Sequence, residues 1–230
     1  MQHELNYFKI EDCVGGNQDW FKDILMRIGG CAAVTACDLC IFLSYYHDIK
    51  NLYPFDNENI TKSEYICFSK IIKPYLHPRL GGIDKASIYI EGFNSYLSDC
   101  NISCLKLTEF NCDSTSLYDA YSVITYSINK NFPIPYLLLL HEDKLFKNYN
   151  WHWFMITGYR NANNKRFVKV TTYGKSDWFN FDSLWNTKRT KKGGFIIVDI
   201  KIVLNKYIFI YLIYIKNWHS QKLCQFYHYL

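Results

Sequence analysis

An α+β fold is the class this sequence predicts, on three observations. Residues 31–46 contain neither Pro nor Gly and are apolar on nearly every side, which reads as a helix buried all round. Three more stretches with helical spacing follow before residue 132. Beyond residue 132 the period changes to short apolar or alternating runs bounded by turn residues, the pattern of strands. Helices first and strands afterwards is the order of an α+β chain.

Taken in order, residues 1–30 form an irregular lead-in with a short strand or turn near "YFKIEDC", punctuated by "GG" at 15–16 and again at 29–30. The central helix follows over 31–46, with Thr35 and Asp38 as its polar exceptions. Residues 61–76 predict a second helix, opened by a Thr61–Glu64 capping box and ended or kinked at Pro74. Residues 81–100 predict a third helix, 101–110 a strand, and 114–131 a fourth helix with Ser114 or Ser116 near its cap. "FPIPYLLLLHED" (132–143) reads as a buried strand. The segments 151–160 and 166–174 read as two strands joined by "NANNK" in a hairpin-like loop, and 193–204 as a further strand. The chain divides into a domain over 1–204, with a helical elaboration at 48–131, and an apolar tail over 205–230. The tail carries "YIFIYLIYI" (207–215), which is too short to span a bilayer. It reads as an extra strand or an appendage outside the core.

At 230 residues the chain is long enough to bury a core without disulfide or metal staples. The net charge of +5 is spread thinly apart from "KRTKK" (188–192), which argues against a nucleic-acid partner. The N-terminus lacks a basic region followed by an apolar one, so no signal peptide is expected. Nine cysteines, an odd number without framework spacing, predict free thiols and a cytoplasmic setting. No cofactor is implied, and the oligomeric state stays open.

Chemistry concentrates on "GGCAAVTACDLC" (29–40). Cys31 starts the central helix, and a helix N-terminus favours thiolate. The two preceding glycines leave room for a substrate backbone. The competing reading of Cys31 is a small core residue. Cys37 and Cys40 lie one helical turn apart, but no second pair of ligands follows at zinc spacing, so no metal site is expected. A nucleophilic thiol needs a base. Of seven histidines, only His152 opens a strongly patterned strand, "HWFMITGY".

A glycine-flanked Cys at a helix start, followed far downstream by His152 ahead of Gly158 and Tyr159 and then by "VTTYG" (170–174), resembles the papain-like cysteine peptidases. The set is particularly similar to bacterial C39-like members of that clan, over residues 13–198 and only loosely over 48–131. The resemblance implies a papain-like fold, with the Cys-bearing helix packed on a C-terminal antiparallel sheet. It implies Cys31 as nucleophile and His152 as base. The third catalytic position, usually Asn or Asp, falls on Thr171, with Asp177, Asn180 and Asp182 as nearby substitutes. The glutamine expected six residues before the Cys is replaced by Leu25; Gln18, in "NQDW", is the candidate oxyanion donor, with Asn17 behind it. Ala32 stands where many such enzymes have Gly.

Three function classes follow. The first is a cysteine hydrolase acting on a peptide or amide substrate. The second is an inactive papain-like fold that binds peptides or a protein partner. The third is a membrane-associated protein organised by the tail.

Overall fold

In the computed structural model, residues 1–79 and 81–201 are described. The expectations for the 205–230 tail and for the end of the 193–204 strand lie outside them. Met1–Asp199 form one compact unit.

The chain opens with three short strands, β1 (Gln2–Glu4), β2 (Lys9–Ile10) and β3 (Cys13–Val14), and a 3-10 turn, Gln18–Trp20. A short helix, α1 (Ile24–Gly29), leads directly into α2 (Cys31–Tyr46). Asp23 caps α1 by accepting from the Met26 N–H. Gly30 is both the last cap of α1 and the first of α2. Every residue of α2 from Cys31 to Leu43 is buried, as an all-round apolar helix requires. Then follow α3 (Lys62–Ile72), α4 (Ala86–Asp99), β4 (Leu105–Asn111) and α5 (Leu117–Asn129). The Thr61–Glu64 capping box is formed in both directions. The helix stops two residues before Pro74, because the residue ahead of a proline disfavours helical backbone. Of the two candidate caps of α5, Ser116 serves.

The second half supplies β5 (Ile134–Leu138), a 3-10 segment (Lys144–Tyr149), β6 (His152–Ala162), β7 (Lys165–Thr172), β8 (Lys175–Asn180), α6 (Phe181–Trp185) and β9 (Gly193–Ile200). One sheet runs in the order β4-β9-β5-β6-β7-β8, with antiparallel pairing from β9 through β8. β1 pairs with β6 at Gly158–Arg160, continuing the edge that β5 occupies at His152–Ile156. α2 packs on β5 and β6, so the start of the central helix lies beside the central strands. The chain is thus a mix of helices and a mainly antiparallel sheet, the α+β class expected. Among the described residues no helix is long and apolar enough to cross a membrane.

The glycine pair before Cys31 is not open space. A Cβ on Gly29 would sit 2.5 Å from the Arg79 carbonyl oxygen, and one on Gly30 would sit 2.2 Å from that of Met26. Tight packing at the α1–α2 junction, rather than access for a substrate, accounts for both residues. α1, β1, β8 and α6 were not anticipated from the sequence.

Candidate active site

Cys31 is the first residue of α2 and His152 the first of β6. Both are nearly covered, at 4% and 5% exposure. Gly30 provides no side-chain cap for α2, so its first N–H groups are available to the Cys31 sulfur. Burial pushes the Cys31 thiol above its ordinary value, while the backbone N–H groups of Trp153, Ala32 and Cys31 itself pull it down. Trp153 is the residue after His152, so the start of β6 borders the sulfur. Burial alone lowers the His152 imidazole to about 4. The state at neutral pH is therefore a neutral thiol and a neutral imidazole, with no hydrogen bond joining Sγ to the ring. It is not the preformed thiolate–imidazolium pair that a helix N-terminus suggests by itself.

His152 Nε2 lies 2.8 Å from Thr172 Oγ1, the ring's one hydrogen-bond partner among the described residues. Tyr173 stacks on the ring with centroids 4.8 Å apart and planes 1° from parallel. Tyr149 meets it edge-on at 6.5 Å.

Thr171, the expected partner of His152, faces elsewhere. Its Oγ1 is 2.8 Å from Thr157 Oγ1 and 2.7 Å from Ser176 Oγ. Register explains the correction. Met155 is opposite Thr171, and directly opposed residues share a face of the sheet while successive residues alternate. His152 is three residues from Met155, an odd number, so it shares a face with Thr172. Two of the three substitutes are also committed. Asn180 caps α6 by accepting from the Ser183 N–H, and Asp182 pairs with Arg166 at 2.7 Å. Asp177 is exposed and lies opposite Val170, on the sheet face that Thr172 and His152 share, with no hydrogen-bond or ion-pair partner among the described residues; burial first and the Asp177 charge second raise the Tyr149 phenol.

Gln18 is 8% exposed and donates its side-chain amide to the Arg27 carbonyl at 3.1 Å. That bond ties the 3-10 turn to α1, the helix that delivers Cys31. One amide hydrogen is used there and one remains. Asn17 caps the same turn by accepting from the Asp19 N–H.

Beneath these loops is a buried polar knot. Asp38, on α2 two turns past Cys31, accepts from Tyr65 Oη at 2.7 Å, Tyr7 Oη at 3.1 Å and the Gly16 N–H at 3.0 Å. Burial lifts its carboxyl to about 7, against the pull of those donors. The Gly16 carbonyl in turn accepts from the Gly174 N–H at 3.1 Å. One carboxylate therefore ties α2 to the loop ahead of Gln18, and that loop to the turn carrying Tyr173. Sequence reasoning noted Asp38 only as a polar residue in an apolar helix; the phenols that satisfy it come from distant segments.

Cys37 and Cys40 are fully buried, and burial pushes both thiols well above their ordinary values. Among the described residues no group of three or more His, Cys, Asp or Glu side chains is placed to hold a metal ion. Comparison with known proteins gives no match: no family model, no curated protein and no solved structure aligns with this chain.

Proposed function

We propose that this chain is a cysteine hydrolase, papain-like and similar to the C39-like peptidases, that attacks a peptide or amide carbonyl with Cys31 and uses His152 as general base. The observation that carries the reading is the meeting of two element starts. Cys31 Sγ lies at the α2 N-terminus beside the β6 start, where His152 is fixed by Thr172 and Tyr173.

In this reading His152 keeps its proton on Nε2 and donates it to Thr172 Oγ1, which leaves Nδ1 with the lone pair. Nδ1 takes the thiol proton as Sγ bonds to the carbonyl carbon. The resulting oxyanion is met by the Cys31 N–H and by the remaining amide hydrogen of Gln18. Losing one such donor costs about 100- to 1,000-fold in rate. The imidazolium gives its proton to the leaving nitrogen, the C–N bond breaks, and a thioester remains. Water, deprotonated by Nδ1, hydrolyses it and frees the thiol. Thr172 stabilises imidazolium less than a carboxylate would, in keeping with a base that rests neutral.

A thiol-directed acyl probe applied to the whole protein, with the labelled site mapped by mass spectrometry, tests this. Labelling at Cys31, lost in Cys31→Ala and sharply slowed in His152→Ala, is expected. The covered sulfur and its raised pKa favour a second reading, an inactive fold that binds peptides. Peptide binding with no Cys31 labelling would select that reading and end the first.

A further inference from the structure

Two tight hairpins flank the β7 strand, and they differ in a way that turn chemistry does not explain. Ala162 pairs with Lys165 across Asn163–Asn164, whose φ angles are +50° and +57°. Thr172 pairs with Lys175 across Tyr173–Gly174, with φ +52° and +72°. Both are two-residue loops with positive φ at both positions, the pattern of a type I′ turn, for which Asn and Gly are the favoured residues. The first turn follows that preference. The second places a bulky aromatic in left-handed backbone, where such a residue is a genuine outlier. Among the described residues the non-glycine residues at positive φ are Asn, Asp or charged, apart from Tyr173 and Trp151, and Trp151 immediately precedes His152.

Strained residues persist where the surroundings hold them for a reason. For Tyr173 the surroundings are the base. Its ring lies flat on the imidazole. Its backbone is anchored on both sides, by the Thr172–Lys175 pairing and by the bond from the Gly174 N–H to Gly16. Its hydroxyl has no hydrogen-bond partner among the described residues, so the ring itself makes the contact with His152. The Thr172 bond at Nε2 selects which edge of the imidazole faces the strand pair, Tyr149 meets its edge, and the parallel Tyr173 ring on one face keeps it from swinging out of its plane.

We propose that Tyr173 is a positioning residue, held in a left-handed turn against its own backbone preference because its ring fixes the plane of His152 and so aims Nδ1. This rests on the Cys31–His152 reading for its catalytic meaning, but not for its geometry. The ring, rather than the hydroxyl, does the work.

The test compares wild type with Tyr173→Phe, Tyr173→Asn and His152→Ala. Three quantities are read: the rate of Cys31 alkylation by iodoacetamide from pH 5 to 9, the thermal midpoint, and the His152 tautomer and titration by long-range ¹H–¹⁵N NMR. Tyr173→Phe keeps the stack and should alkylate within about twofold of wild type. Tyr173→Asn relieves the turn, so its Tm should rise by about 2–4 °C. Alkylation below pH 7 should nevertheless fall at least tenfold toward the His152→Ala profile, and the imidazole should show mixed tautomers and titrate nearer its ordinary value. A gain in stability paired with a loss of reactivity is not what a merely structural residue gives. Tyr173→Asn with wild-type alkylation and a single unshifted tautomer would overturn the inference, as would Tyr173→Phe falling as far as Tyr173→Asn. If His152→Ala leaves the Cys31 rate unchanged, the hydrolase reading fails instead, and the NMR arm still decides whether Tyr173 fixes the ring.

Discussion

His152 is neutral above about pH 4, and that has a stability consequence with a definite sign. In the unfolded chain the same imidazole takes up its proton near pH 6.5. Between those values the unfolded state binds a proton that the folded state refuses, so stability is full above about 6.5 and is lost as pH falls toward 4. The gap corresponds to about 3 kcal/mol. Denaturant midpoints from pH 4 to 7 should show that His152→Gln removes this acid sensitivity; an unaltered slope would mean the ring is solvated. The two neighbouring threonines separate just as cleanly. Thr172→Val leaves the buried ring without its partner and should cost about 1–3 kcal/mol, with roughly tenfold or greater loss of Cys31 labelling by the acyl probe. Thr171→Val breaks the bonds to Thr157 and Ser176 on the opposite face, and should lower stability while leaving labelling near wild type. The reverse pattern would restore Thr171 to the site.

At the scale of elements, the α1–α2 junction is the tightest constraint on the nucleophile. Gly30→Ala would drive a methyl to 2.2 Å from the Met26 carbonyl oxygen, and overpacking of that kind costs about 1–3 kcal/mol. A loss in that range by chemical denaturation, with slower Cys31 labelling, is expected; a loss under about 0.5 kcal/mol would mean that the junction relaxes freely. The elements legible in the sequence were those with a strong local signal. α2 announced itself by its unbroken apolar run, α3 by its capping box, β5 by its apolar run between prolines and charges, and the β6–β7 hairpin by its Asn-rich loop. β8 was missed because Tyr-Gly is a poor advertisement for a two-residue turn, and α1 because six residues carry too little periodicity. The third member of the candidate site was displaced by one residue for a related reason. Motif spacing gives position along a strand, but the face a side chain takes depends on pairing register, which the β-bulge between Ile156 and Gly158 also shifts.

For the whole molecule, two buried titrations oppose each other. Asp38 has its carboxyl raised to about 7 from an unfolded value near 3.9. Its contribution is complete below about 4 and is lost as pH rises through 7, the opposite sense to His152. Over pH 4 to 6.5 the two slopes offset, so the intact protein should show a shallow stability profile. Asp38→Asn should unmask the His152 slope and make the variant distinctly more acid-sensitive than wild type between pH 6.5 and 4. A profile parallel to wild type would show that Asp38 stays ionised in the fold. The pairing of β1 with β6 has a consequence in time. Gln2 lies opposite Arg160, so during synthesis β1 has no partner until some 150 residues later. At typical elongation rates of about 5–20 residues per second, that wait is on the order of 8–30 s. Cys31 likewise precedes His152 by 121 residues. A nascent chain therefore exposes its thiol to the ribosome exit and to chaperones before His152 has been made, and the machinery proposed here is assembled only after His152 and Thr172 have emerged.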